Sequence, residues 1–103
     1  MRLNCRMKVE FADGQLAQVE TDPTATLGHG PPVDRGFRKV VQFIRAAMDE
    51  RDLYAMNSLD FEKVRGHQTL RTLRLNKQWR LFVELVGKGS EKVVRIVKVG
   101  DPH

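Results

Sequence analysis

Residues 71–85 read RTLRLNKQWRLFVEL, and the alternation within this stretch decides the fold. Leu73 and Leu75 alternate with Thr72, Arg74 and Asn76, and beyond a break Trp79, Leu81, Val83 and Leu85 alternate with Arg80 and Glu84. A period of two marks strands that turn one face to a core and the other to solvent. Asn76-Lys77-Gln78 separates the two runs and predicts a turn, because asparagine tolerates unusual backbone angles and its short side chain bonds the backbone ahead of it. The stretch is therefore a β-hairpin with a basic polar face. By the same phase Trp79 belongs to the core side of the sheet rather than to a base-stacking surface. A Gly87-Lys88-Gly89-Ser90 turn leads on to a valine- and isoleucine-rich strand from about Lys92 to Val99.

Upstream, Lys8-Val9-Glu10-Phe11 alternates as a short strand, and Asp13 is placed to cap a helix running to Glu20. Pro23, Gly28, Gly30, Pro31 and Pro32 mark a loop in which His29 is an exposed residue. Val33, Phe37, Val40, Val41, Phe43, Ile44, Ala47 and Met48 then recur at three- and four-residue spacing beneath Arg35, Arg38, Lys39, Gln42 and Arg45. That spacing predicts an amphipathic helix, opened by Pro31-Pro32 and with Asp34 near its positive end. Gly36 is discordant, since glycine inside a helix costs up to about 1 kcal/mol relative to alanine. Either the helix packs closely there or it begins after it.

Asp49-Glu50-Arg51-Asp52 breaks the helical pattern, Leu59–Val64 reads as a strand, and Arg65-Gly66-His67-Gln68 turns into the hairpin. Helices early and antiparallel strands late make an α+β fold. A chain of 103 residues supports one core, so residues 1–103 are read as a single domain.

Hydrophobic content of 41% and charged content of 30% belong to a globular protein, and no apolar run approaches the length of a membrane span. The segment Met1-Arg2-Leu3-Asn4-Cys5-Arg6 lacks the apolar stretch of a signal peptide, so a cytoplasmic location is expected. Cys5 is the single cysteine, which excludes an internal disulfide and a Cys-x-x-Cys motif. No Walker motif, His-x-x-x-His pair or Ser/His/Asp arrangement is present, and no metal or other cofactor is expected.

The net charge of +5 is unevenly spread. Residues 1–60 carry 8 Lys and Arg against 9 Asp and Glu, whereas residues 61–103 carry 10 against 4. A basic sheet-forming half suits a polyanion held through phosphates, with a solvated, solubilising surface as the competing reading. Lys63, Arg65, Arg71, Arg74 and Lys77, joined at the turn by Asn76 and Gln78, form the candidate RNA-binding set.

RNA can be cut without a metal when its own 2′-hydroxyl attacks the adjacent phosphate, and the enzyme then needs an acid, a base and a cation near the developing charge. His103 is a candidate acid or base because imidazole titrates near neutrality. Arg80 can hold a phosphate with two donors at once. Asp101, two residues from His103, falls on the same side of an extended chain and can orient the ring. A frayed chain end is the other reading of Asp101-Pro102-His103.

The segment LRTLRLNKQWRLFVEL, followed by a Val/Ile-rich strand and a closing Asp-x-His, resembles the HigB-type toxins of the RelE/ParE superfamily of bacterial toxin-antitoxin systems. The likeness extends upstream through Met7–Phe11, Ile44–Ala47, Asp49–Asp52 and Ser58–Lys63, and spans roughly residues 7–103. Similar proteins are ribosome-dependent endoribonucleases that cut messenger RNA, arrest growth and are neutralised by a HigA-type helix-turn-helix antitoxin. The resemblance implies a small curved antiparallel sheet with two helices from the N-terminal half packed on it. It assigns the phosphate contact to Arg80, the outer members of a terminal Asp-Tyr-His to Asp101 and His103, and the place of a basic residue, usually lysine, to Arg65.

Two positions depart from that pattern. Pro102 stands where a tyrosine is general, removing a ring, a hydroxyl and a backbone donor. Glu62 stands where many active members have histidine. The resemblance also suggests that translation can start at Met7, leaving residues 1–6 dispensable. Two other readings remain open at this point: a ParE-like toxin that poisons gyrase by binding, and a catalytically silent relative that binds an antitoxin or RNA.

Overall fold

A computed structural model of the chain describes residues 7–87 and 92–100. Strand β1 (Lys8–Phe11) is followed by helices α1 (Gly14–Thr21), α2 (Pro31–Ala46) and α3 (Glu50–Ala55) and a short 3-10 turn (Asn57–Leu59). Strands β2 (Glu62–Lys63), β3 (Leu70–Arg74), β4 (Arg80–Val86) and β5 (Val93–Gly100) complete a five-stranded sheet ordered β1-β5-β4-β3-β2. The result is a small α+β domain with helices packed against a mixed sheet. Among the described residues no helix is long and apolar enough to cross a membrane.

The hairpin forms as its alternation predicts, with Leu73 opposite Leu81 and Arg74 opposite Arg80. Asn76 makes the turn: its Oδ1 accepts from the backbone N–H of Gln78 at 2.9 Å and of Trp79 at 2.8 Å. Leu73, Leu81, Val83, Val94 and Ile96 lie on one sheet face and are fully buried with Phe37, Val41 and Ile44 of α2 and Val19 of α1. The other face carries Thr72, Arg74, Arg80, Phe82 and Lys98, and among the described residues no helix of the core cluster covers it.

Both early helices have the ends their sequences provide. The Asp13 carboxylate accepts from Gln15 N–H at 2.8 Å and caps α1. Two prolines open α2, and Asp34 in its first turn accepts from Leu27 N–H at 2.9 Å, tying the preceding loop to the helix. Arg38, read from spacing as part of the polar face, instead reaches back to the carbonyls of Val19, Asp22 and Ala25 at 2.8–3.2 Å. A guanidinium there satisfies carbonyls that the end of α1 leaves open and opposes the negative end of its dipole.

Four expectations are corrected. The sheet is mixed rather than antiparallel, because β1 runs parallel to β5, with Lys8 opposite Val93 and Phe11 opposite Ile96. Residues 49–52 do not simply end a helix: Asp49 caps a third one, α3, by accepting from Arg51 N–H at 2.9 Å. The strand read over Leu59–Val64 shrinks to Glu62–Lys63, since Leu59 closes the 3-10 turn and Asp60 takes a left-handed conformation. Met48 lies beyond α2 and is 60% exposed rather than in the core. Cys5 and the turn from Lys88 to Ser90 lie outside the described residues.

Gly36 is inside α2, and its role is contact. A Cβ built there would lie 3.0 Å from the carbonyl oxygen of Leu75, at the base of the hairpin turn. Gly36→Ala is therefore expected to lower stability by about 1–3 kcal/mol through overpacking, against the gain of up to about 1 kcal/mol that helix propensity alone would give. Urea denaturation checks the sign, and a stabilised variant would mean that the Leu75 carbonyl gives way to the added methyl.

Candidate nucleic-acid interface

The uncovered sheet face ends in a cleft of about 730 Å³ beside the hairpin turn. Lys63, Arg65, Arg74, Asn76, Lys77 and Arg80 line it, together with Asp60, Glu62, Val64, Thr72 and Phe82. Five basic side chains thus share one depression with two carboxylates, an excess of positive charge suited to phosphate.

Local geometry places each of them. Strand alternation turns Thr72, Arg74, Arg80 and Phe82 away from the helices, with Thr72 opposite Phe82 and Arg74 opposite Arg80. Arg65 rides on a tight turn closed by a 3.1 Å hydrogen bond from His67 N–H to the Val64 carbonyl. Gly66 supplies the φ of +84° that this turn needs, a value costly for any residue with a Cβ. Arg65 and Lys77 are both exposed.

Arg80 is the most constrained cation. Its side chain is 15% exposed. Nε donates to Thr72 Oγ1 at 3.0 Å, Nη1 to Asp60 Oδ2 at 3.0 Å, and Nη2 to the Asp60 carbonyl. Asp60 can present carboxylate and carbonyl together because its backbone is left-handed, φ +47°, a conformation aspartate accepts better than most residues. Arg74 Nη2 lies 3.6 Å from the same carboxylate. Three of the five guanidinium donors of Arg80 are engaged, which fixes the plane and leaves capacity for a ligand.

The hydrogen bond from Arg80 holds the Asp60 carboxyl below the ordinary carboxylate value of 3.8, reinforced by the charges of Arg80 and Arg74 against partial desolvation. A depressed folded-state value contributes stability above the unfolded-state value, and this is lost as pH falls through the folded-state value. Asp60→Asn is therefore expected to lower stability in the neutral range and to converge with the parent chain as pH falls below about 4, so that its acid loss is flatter. The effect is modest because the carboxylate is 35% exposed and solvent screens the pair. Superimposable acid unfolding curves for the two proteins would remove the ion pair from the account.

The remaining expected residues divide. Arg71 is corrected: in phase with Leu73, it projects to the helix side of the sheet, where Nη1 donates to the carbonyls of Gln68 and Leu70 at 2.9 and 3.2 Å. Its Nε is buried with no partner among the described residues. Gln78 lies on the turn outside the cleft lining. Asn76 lines the cleft, but its side-chain oxygen is committed to the turn. Asp101 and His103 lie outside the described residues.

Trp79 is on the core side of the hairpin by phase, yet it precedes β4 and is only half-buried, stacked on His29 at a centroid distance of 4.1 Å. His29 is exposed as expected, and the stack anchors its loop to the turn.

Asp60, Thr72 and Phe82 are functional candidates that spacing did not single out. For Phe82 and Thr72 the signal was there in the alternation that puts them in phase with Arg80 and Arg74. Comparison of the chain with protein families, characterised proteins and solved structures gives no match.

Proposed function

We propose that this protein is a ribosome-dependent endoribonuclease that cuts messenger RNA, the toxin of a HigB-type toxin-antitoxin pair. One observation supports this reading above the rest: Arg80, Arg65, Lys63, Arg74 and Lys77, picked from separate parts of the sequence as phosphate contacts, share one cleft. The sheet face left bare of helices is compatible with the curved RelE-like sheet that the sequence resemblance implies. Gly100, the last described residue, pairs with Arg80 at this end of the sheet.

In the proposed reaction a base takes the proton of the 2′-hydroxyl, whose oxygen attacks the adjacent phosphorus. The bond to the 5′-oxygen breaks, a 2′,3′-cyclic phosphate forms, and an acid returns a proton to the leaving oxygen. His103 carries one of these transfers, and Asp101 orients its imidazole. Arg80, held flat by Asp60 and Thr72, faces the charge that grows on the phosphoryl oxygens. A HigA-like antitoxin, the ribosome and messenger RNA are the partners of this reading, in the cytoplasm.

The test is to map RNA ends after brief induction in bacteria, with Arg80→Ala and His103→Ala beside the parent chain. Cuts inside translated codons that vanish in both variants are expected. Growth arrest without such cuts would replace this reading with ParE-like poisoning of gyrase, and absence of arrest would replace it with a silent binding relative.

A further inference from the structure

Phe82 stands on the wrong side of the sheet for a core residue. It faces away from the helices, opposite Thr72 on β3 and Lys98 on β5, and is absent from the buried cluster and from the apolar side chains packed on it. Its neighbours on that face are Thr72, Arg74, Arg80 and Lys98, so the ring is a partly buried apolar disc in charged surroundings. It is the one aromatic side chain lining the cleft among the described residues.

Three further details shape this position. The pairing of β4 with β5 slips between Phe82 and Val83, leaving Val97 as an extra residue, a β-bulge of the kind that re-aims side chains beside binding sites. Lys98 Nζ lies over one face of the ring, 5.1 Å from its centroid. Gly100 closes against the ring edge, where a Cβ would lie 3.1 Å from Phe82 Cε1, so no side chain from that position walls off the ring.

We propose that Phe82 is a stacking platform for one unpaired base of single-stranded RNA, with the phosphates on either side of that nucleotide held by Arg74, Arg65 and Lys63. The proposal rests on the nuclease reading for its choice of RNA, and it adds the strand state of the substrate at this cleft. A ring with no hydrogen-bonding group stacks on any base, so the platform confers preference for unpaired over paired strands rather than for a sequence. Bases inside a duplex are already stacked and offer the ring no free face. Lys98 holds one face of the ring in a cation–π contact, so the stacked base takes the opposite face.

The test is fluorescence anisotropy with the full chain and its Phe82→Leu and Phe82→Tyr variants. The probes are a short labelled oligoribonucleotide, an abasic ribose-phosphate strand of equal length, and the same RNA as a duplex. The parent chain is expected to prefer the single strand to both other probes. Phe82→Leu, which keeps apolar bulk without a π-face, is expected to weaken oligoribonucleotide binding about tenfold and leave abasic binding unchanged, while Phe82→Tyr stays within about twofold of the parent.

Equal binding of abasic and normal strands by the parent chain would overturn the proposal, as would unchanged binding of the normal strand by Phe82→Leu. The two readings also separate. Phe82-dependent binding by a chain that leaves induced messenger RNA uncut keeps the platform and removes the nuclease. Messenger RNA cut equally by the parent and Phe82→Leu removes the platform and keeps the nuclease.

Discussion

Phe37→Ala is expected to cost about 3–5 kcal/mol of folding stability, a large part of the roughly 5–15 kcal/mol that holds a domain of this size together. Phe37 is fully buried at the middle of α2, in the cluster that includes Val41, Ile44, Leu81 and Val83. Truncation removes most of an aromatic side chain and leaves a cavity walled by two layers, helix on one side and sheet on the other, that cannot both collapse into it. Met48→Ala is the internal control, because Met48 is 60% exposed and its truncation is expected to stay within about 0.5 kcal/mol. Urea unfolding followed by circular dichroism reads both. The Phe37 variant should shift the midpoint without changing the slope, and a cost below about 1 kcal/mol would mean that α2 is not seated on the sheet.

Arg80→Ala is expected to lower the rate of RNA cleavage by about 10²- to 10³-fold, the usual loss when one preorganised donor to a developing anion is removed. Arg80→Lys is expected to recover little, because a single ammonium cannot reproduce the flat fork that Thr72 and Asp60 align. Stability has to be measured alongside. The guanidinium pairs with the Asp60 carboxylate and carbonyl, and because that carboxylate is 35% exposed their loss is expected to cost no more than about 1 kcal/mol. Asp60→Asn breaks the same ion pair and retains the guanidinium. A cleavage defect of equal size in both variants would trace the loss to the broken pair and sink the phosphate assignment of Arg80.

The parts of this fold that were legible in the sequence are those governed by short-range periodicity. Alternation gave Leu73 and Leu81 a common face, Asn76 announced its turn, and the spacing of Phe37, Val41 and Ile44 defined the buried stripe of α2. The parallel pairing of β1 with β5 joins residues from opposite ends of the chain and leaves no mark in either segment. Helix α3 is a single capped turn and a half inside a run of charges, too short for a period to show.

The site divides in the same way. Arg80 and Arg74 could be chosen from residue type and phase and Arg65 from the resemblance, and phase would also have excluded Arg71, which shares its face with Leu73. Asp60 could not be foreseen, since its grip on Arg80 spans 20 residues and depends on a left-handed backbone. Phe82 was obscured by its own hydrophobicity, which suggests core unless the alternation is followed strictly.

The position of β5 between β1 and β4 sets the order in which the protein can come into being. The strand made first must wait for the one made last before it has a neighbour, so a nascent chain holds an unfinished sheet until synthesis has passed Gly100. Folding is then bound to complete after the unit has been translated rather than alongside it, as is general when distant segments must meet.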